Sequence, residues 1–173
     1  RRQARRESID EKIDMIKQIV TDDESWLVWC DLNNESESIS KAINATEITG
    51  SQSTEDKEGR MLGFSSGLHR IICTKPKIAG FGMNWQHCNN VIFAGLSDSY
   101  EAFYQAIRRC WRFGQKSKVN CHIITTDIEG NVVDNIKRKE ADALRMRKEM
   151  IEHMQDITKT ELHEKSVSSF DYK

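Results

Sequence analysis

Apolar residues recur every three or four positions over residues 6–20, where Ile9, Ile13, Ile16 and Ile19 form one stripe with Met15 and Val20 beside it. That period predicts an amphipathic helix, and Ser8 with Glu11 has the spacing of a capping box. After a polar turn at 21–25 the pattern changes. Trp26, Leu27, Val28, Trp29 and Cys30 are continuously apolar, a run short enough for a strand buried on both faces. Residues 31–44 are polar and predict a short helix at 39–43. Residues 45–49 read as a strand stopped by Gly50, and a helix carrying Arg60, Met61, Leu62 and Phe64 is closed by Gly67. A strand over 69–74 follows, then a glycine-bearing segment and a buried strand over 90–94. Residues 99–113 read as a helix capped by Ser97 or Ser99, and 119–126 as a last strand. A long charged helix is expected over about 129–165.

Strands alternating with helices predict an α/β fold with a parallel sheet covered on both faces. The long last helix has Ile136, Ala143, Leu144, Met150, Ile151, Met154 and Ile157 at roughly helical spacing. It is expected either to pack back on the domain or to reach a partner.

Composition narrows the class. The chain has 173 residues, 38% of them hydrophobic, and a single proline, which suits one domain with its own core and excludes a proline-rich linker. No apolar stretch approaches the ~20 residues of a spanning helix, and the first six residues include four arginines instead of a signal-peptide core. A soluble, cytoplasmic chain without membrane association is expected. The five cysteines, Cys30, Cys73, Cys88, Cys110 and Cys121, include no C-x-x-C pair and read as reduced core thiols. A zinc site using His87 and Cys88 lacks further ligands at a recognisable spacing, so no metal ligand is assigned.

The formal net charge of -1 conceals a sorted distribution. Residues 21–59 carry a net -8 and residues 60–126 a net +7, and the stretch 102–126 contains five basic residues and no acid. Such sorting points to a surface facing a polyanion.

Two segments carry candidate chemistry. Thr74, Lys75, Lys77, Gly80, Gly82 and Asn84 lie in a glycine-bearing turn after a buried strand, at the sheet edge where open α/β folds bind ligands. Glycines there let backbone N–H groups approach a phosphate. The turn is not a Walker A loop, because no glycine in the chain is followed by lysine. A plain strand-to-helix turn has the same signature. In the second segment, residues 105–115, Gln105, Arg109 and Arg112 share one face if the segment is helical, bordered by Arg108. Two guanidiniums and an amide without a neighbouring acid suit a triphosphate or a nucleic-acid backbone; a solvated basic face is the plainer alternative. Trp111 and Phe113, on the other side, are expected in the core.

Together these segments resemble motifs V and VI of the second RecA-like domain of superfamily 2 helicases and translocases, most closely the Swi/Snf-like branch with phage and bacterial members. Residues 79–85, Ala-Gly-Phe-Gly-Met-Asn-Trp, stand where that family has A-G-G-x-G-L-N-L. Residues 105–115 match every fixed position of Q-A-x-x-R-x-x-R-x-G-Q. The resemblance covers about residues 8–140. The strand at 26–30 resembles motif IV, and Asp127-Ile128-Glu129 resembles the family's last helix start. Phe81, Arg108 and Trp111 depart from the chromatin-remodelling members and favour a bacterial or phage relative.

The resemblance implies a second RecA-like domain over 1–128 and a helical extension over 129–173. It implies that Arg109 and Arg112 are arginine fingers for ATP and that Gln105 supports them. Gly80, Gly82 and Asn84 would approach the nucleotide, and Thr74, Lys75 and Lys77 would touch nucleic-acid phosphates. ATP and Mg2+ would be held mainly by an N-terminal RecA-like lobe of the same protein, and the second partner would be DNA, with RNA possible. Phosphoryl transfer also needs a phosphate loop and a metal ligand. No D-E-x-H box follows a strand here: Asp23-Glu24 precedes its strand and Asp10-Glu11 lies inside the first helix. The chain alone is therefore expected neither to bind ATP tightly nor to hydrolyse it. The alternatives are a non-catalytic RecA-like docking module and a small nucleotide-binding protein using the G-F-G turn alone.

Overall fold

A computed structural model describes residues 8–79, 83–125 and 130–167. In chain order the elements are α1 (Ile9–Ile19), β1 (Trp26–Trp29), α2 (Asn33–Ala42), β2 (Thr46–Glu47), α3 (Thr54–Ser65), β3 (Ile71–Thr74), α4 (Pro76–Ala79), β4 (Asn90–Phe93), α5 (Tyr100–Ile107), β5 (Asn120–Ile123) and α6 (Gly130–Val167). The strands form one sheet in the order β2-β3-β1-β4-β5, and every pairing is parallel. The expected parallel α/β sheet is present.

Strand side chains alternate between faces, and this alternation divides the apolar runs into two cores. Trp26, Val28 and Cys30 join Ile71, Cys73, Ile92 and Ala94 on one face, where Ile16 of α1 and Ile39 of α2 cover them. On the other face Trp29 packs on Trp85 at 6.3 Å and on Phe93 at 6.5 Å between ring centroids. Phe64 of α3 meets Trp85 edge-on at 5.3 Å, and Phe103 of α5 meets Phe93 at 4.8 Å. Both faces of the central strands are thus buried, as a continuous apolar strand requires. Each large side chain so buried is worth roughly 1.5–3 kcal/mol.

Several boundaries differ from the sequence pattern for identifiable reasons. The helix expected at 39–43 begins at Asn33. The buried Glu35 carboxylate accepts the Asp31 and Leu32 backbone N–H groups, both at 3.1 Å, so a polar stretch becomes helix through a cap and not through an apolar stripe. The Ser8–Glu11 capping box does not form, since Ser8 makes no side-chain cap bond. Ser99 does cap α5, accepting from Ala102 N at 3.2 Å, and Gly67 closes α3 with a φ of 81° that favours glycine. The helix expected over 99–113 ends at Ile107.

The chain divides into two compact units, Arg1–Asn135 and Ile136–Lys173. Among the described residues, the second is a segment of α6 laced by surface ion pairs such as Arg145–Asp142 at 3.1 Å. No helix among the described residues is long and apolar enough to cross a membrane.

Candidate nucleotide and nucleic-acid site

The parallel strands bring the start of the first candidate segment to the carboxyl edge of the sheet and its end against the second segment. At the carboxyl ends of β1, β3 and β4, a cleft of about 160 Å³ is lined by Asp31, Lys75, Lys77, Gly95, Ser97 and Phe103, among others. The sequence places Lys75 and Lys77 together, and the fold brings both to this cleft. Lys75 Nζ donates to Asn33 Oδ1, while Lys77 is exposed. Thr74 is different: its side chain is fully buried and its hydroxyl donates to Ile48 O at 3.0 Å. The floor of the cleft is rigidly built. A Cβ at Gly95 would lie 2.5 Å from Glu35 Oε2 and 2.7 Å from Asp31 N, so only glycine fits there without displacing the carboxylate that caps α2.

Residues 105–115 do not form the continuous helical face that their spacing suggests. After Ile107 the chain tightens into short turns, with Arg109 N bonded to Ala106 O at 3.3 Å and Cys110 N to Ile107 O at 3.0 Å. Tertiary bonds hold this shape. Trp85 N donates to Arg109 O at 2.9 Å. The Arg109 guanidinium donates through Nε to Gln105 O at 3.2 Å and through Nη1 to Met83 O at 3.3 Å. Arg109 is therefore mostly buried, at 8% exposure. Burial, and then the nearby positive charge of Arg112, lowers its pKa from the ordinary guanidinium value. Arg112 itself is exposed.

The fold thus joins Arg109 directly to the glycine-bearing turn, beside the exposed Asn84. Gln105 meets Arg109 through its backbone carbonyl. Gly80 and Gly82 lie outside the described residues, as do Asp127, Ile128 and Glu129.

Sequence reasoning assigned no role to the residues that build this junction. Gln115 Nε2 donates to Gln86 O at 2.9 Å and Cys110 O at 3.1 Å, with a longer contact to Cys88 O at 3.4 Å. Its Oε1 accepts Ser117 N at 3.0 Å. The Gln86 amide returns a bond to Phe113 O. One side chain at the end of the second segment therefore ties the exit of the first to the middle of the second and to the residues just beyond it. The available signal was the fixed Gln at the end of the motif VI pattern; Gln86 had none.

Trp111 and Phe113 correct an expectation. Neither is in the core: Trp111 is 51% exposed and Phe113 fully exposed. The regular helix ends at Ile107 and residues 108–114 run as turns and bends, where the Arg108 guanidinium lies over the Trp111 ring, 5.4 Å from its centroid. The cysteines divide likewise. Cys30, Cys73, Cys88 and Cys110 are buried free thiols, whereas Cys121 is exposed. Contact with Cys73 (Sγ–Sγ 3.4 Å) and burial push the Cys30 thiol well above its ordinary pKa, so it is not poised for nucleophilic chemistry.

Residues 11–114 match the model of the helicase conserved C-terminal domain, which accounts for more than half of the chain. This chain belongs to that family. Its fold agrees. The C-terminal domain of the DEAD-box protein Dbp5 superposes with a TM-score of 0.66 at 14% identity, over 77% of this chain and 80% of that one. The C-terminal part of the Fun30 ATPase domain superposes with a TM-score of 0.61 at 25% identity, over 72% of this chain and 44% of that one. The helicase C-terminal domain described here therefore has the RecA-like fold and spans less than half of the Fun30 chain. No curated protein sequence matches it.

Proposed function

We propose that this domain, with 1–128 as its RecA-like body and 129–173 as a helical extension, is the second lobe of an ATP-driven translocase of the Swi/Snf-like branch, with a bacterial or phage origin. It acts in the cytoplasm on DNA. The observation that carries this reading is the junction of Arg109 with Met83 and Trp85. Arg109 bonds to the far side of the glycine-bearing turn, and it and Arg112 lie in a stretch that contains no acid, which supports a site for an anion.

Arg112, exposed in a stretch without a carboxylate, fits the oxygens of a triphosphate. Arg109, two of whose donors are taken by the Gln105 and Met83 carbonyls, meets the anion through its remaining donors. Asn84, Gly80 and Gly82 complete the nucleotide side, and Gln105 supports Arg109 through its carbonyl. Mg2+ and the phosphate loop would belong to the N-terminal lobe, because no glycine of this chain is followed by the lysine of a phosphate loop. Bound between the lobes, ATP supplies the phosphoryl group, and this chain contributes electrostatic stabilisation of the charge that develops on transfer.

Lys75 and Lys77, at the carboxyl edge of the sheet, hold nucleic-acid phosphates. The buried Thr74 hydroxyl shapes that edge by holding the Ile48 carbonyl. Closure and opening of the two lobes then move the phosphate grip along the strand. Backbone contacts of this kind carry little sequence information and weaken with salt.

The test is single-turnover ATP hydrolysis by the two-lobed protein. Arg109→Ala or Arg112→Ala should slow it by roughly 1,000- to 100,000-fold, a barrier change of about 4–7 kcal/mol. Unchanged rates in both variants would remove the fingers from the mechanism and leave a non-catalytic docking module. The 173-residue chain alone should show no ATPase activity with or without DNA.

A further inference from the structure

Beside the finger loop lies a second concavity, which shares Arg112 with the proposed mechanism and is otherwise unused by it. It is a shallow groove of about 430 Å³ between the end of α5 and the start of β5. Ile107, Val119, Cys121 and the aromatic Trp111 supply its apolar lining, and Arg112 and Lys118, both exposed, line it as well. Among the described residues, neither the Arg112 guanidinium nor the Lys118 ammonium meets an acceptor. The loop between them is held by the four Gln115 contacts, so the indole is presented on a fixed support at little ordering cost.

We infer that this groove binds one nucleotide unit, its base stacked on Trp111 and its phosphate between Arg112 and Lys118. The chemistry is selective in two ways. An apolar slot with an aromatic lining takes a flat ring, and base–aromatic stacking tolerates any base. Two unneutralised cations lining it, in a stretch that contains no acid, require that the ring carry an anionic group. The unit has two sources, a free nucleotide or one residue of a single strand. The Arg108 guanidinium covers one face of the Trp111 ring, so the base takes the other, and Arg108 and Lys116 add positive charge near the groove for neighbouring phosphates of a strand.

The chain carries its own reporter. Trp26, Trp29 and Trp85 are at most 3% exposed, whereas Trp111 is half exposed, so a stacked base quenches Trp111 emission and leaves the buried indoles unchanged. The experiment titrates the 173-residue chain with an oligothymidylate of eight residues and, separately, with ATP. Quenching by the oligonucleotide alone assigns the site to a strand. Quenching by ATP supports the site with a free nucleotide as its ligand. Trp111→Leu should weaken binding of a fluorescently labelled oligonucleotide, followed by anisotropy, by roughly tenfold or more. Lys118→Ala should reduce the slope of log affinity against log salt by about 1. Both residues are exposed, so the variants fold. Absence of quenching by either ligand, or anisotropy titrations that neither variant changes, overturns the site. Because the test needs no hydrolysis and no first lobe, its failure leaves the finger assignment standing, and failure of the fingers leaves the groove standing.

Discussion

Lys12 and Arg112 are both cations of this domain, and the fold treats them oppositely. Lys12 is 1% exposed; its ammonium donates to Glu35 Oε1 at 3.0 Å and to Ala94 O at 2.8 Å. The other oxygen of Glu35, itself fully buried, takes two backbone N–H groups. Every charge in that cluster is answered, and the cluster ties α1 to α2 and to the end of β4. Arg112 is exposed, faces Arg109, and has no acid within its segment. A charge that holds elements together is saturated by its own chain. A charge left over, beside a second of the same sign, is available to a ligand.

The largest stability effect that sharpens this contrast belongs to the saturated pair. Glu35→Ala leaves a buried ammonium half-answered and uncaps α2, and it should cost about 3–5 kcal/mol in chemical denaturation. The double variant Lys12→Met/Glu35→Leu should recover most of that loss, because no orphan charge remains. Arg112→Ala should leave the midpoint unchanged. A Glu35→Ala protein as stable as the parent would break the comparison, since both cations would then be dispensable to the fold.

An intermediate effect is expected at the junction between the two candidate segments. Gln115→Ala removes the donor shared by Gln86 O and Cys110 O, and should cost about 1–3 kcal/mol. The same change should accelerate hydrogen exchange at Ser117 N–H, whose acceptor is lost, and at Trp85 N–H, which bonds Arg109 O. Unaltered exchange at both amides would show that the loop keeps its shape without Gln115.

The smallest effect comes from an exposed pair. Lys41 Nζ lies 2.7 Å from Glu37 Oε1, and this hydrogen bond and its charge hold the Glu37 carboxyl below its ordinary pKa. A lowered carboxyl pKa contributes stability that is present above the ordinary carboxylate range and lost as pH falls through the lowered value. Glu37→Gln should therefore differ from the parent only above that range, and by an amount near the error of a thermal melt. A large difference at neutral pH would mean that exposed charges matter to this fold as much as buried ones.

Much of the fold was legible in the order of apolar residues. The runs 26–30, 69–74 and 90–94 are short, apolar at their centres and bounded by polar or glycine-bearing stretches, which suits buried strands better than helices. The helical stretches between them favoured a parallel sheet. Motif VI was legible for a chemical reason: a fixed spacing of Gln, Arg, Arg, Gly and Gln serves a shared geometry even where the chain is not helical. The helix assignment for that segment was not legible, because the turn after Ile107 is set by Trp85 and Gln115, one of which lies more than twenty residues upstream. The polar start of α2 was hidden for a similar reason, since its cap depends on a buried carboxylate that only Lys12 makes tolerable.

The sequence by itself thus determined the α/β class, the two apolar faces of the central strands, and the residues of the two candidate segments. These follow from local periodicity and local charge, which each stretch carries wherever it is placed. Tertiary structure alone decided which charges are answered. It buried Lys12 against Glu35, committed Thr74 to a carbonyl, fixed Arg109 against Met83, and left Arg112, Trp111 and Phe113 facing solvent. The energy of an ionic or aromatic group depends on its distance from partners and from water, and those distances exist only once the chain has folded.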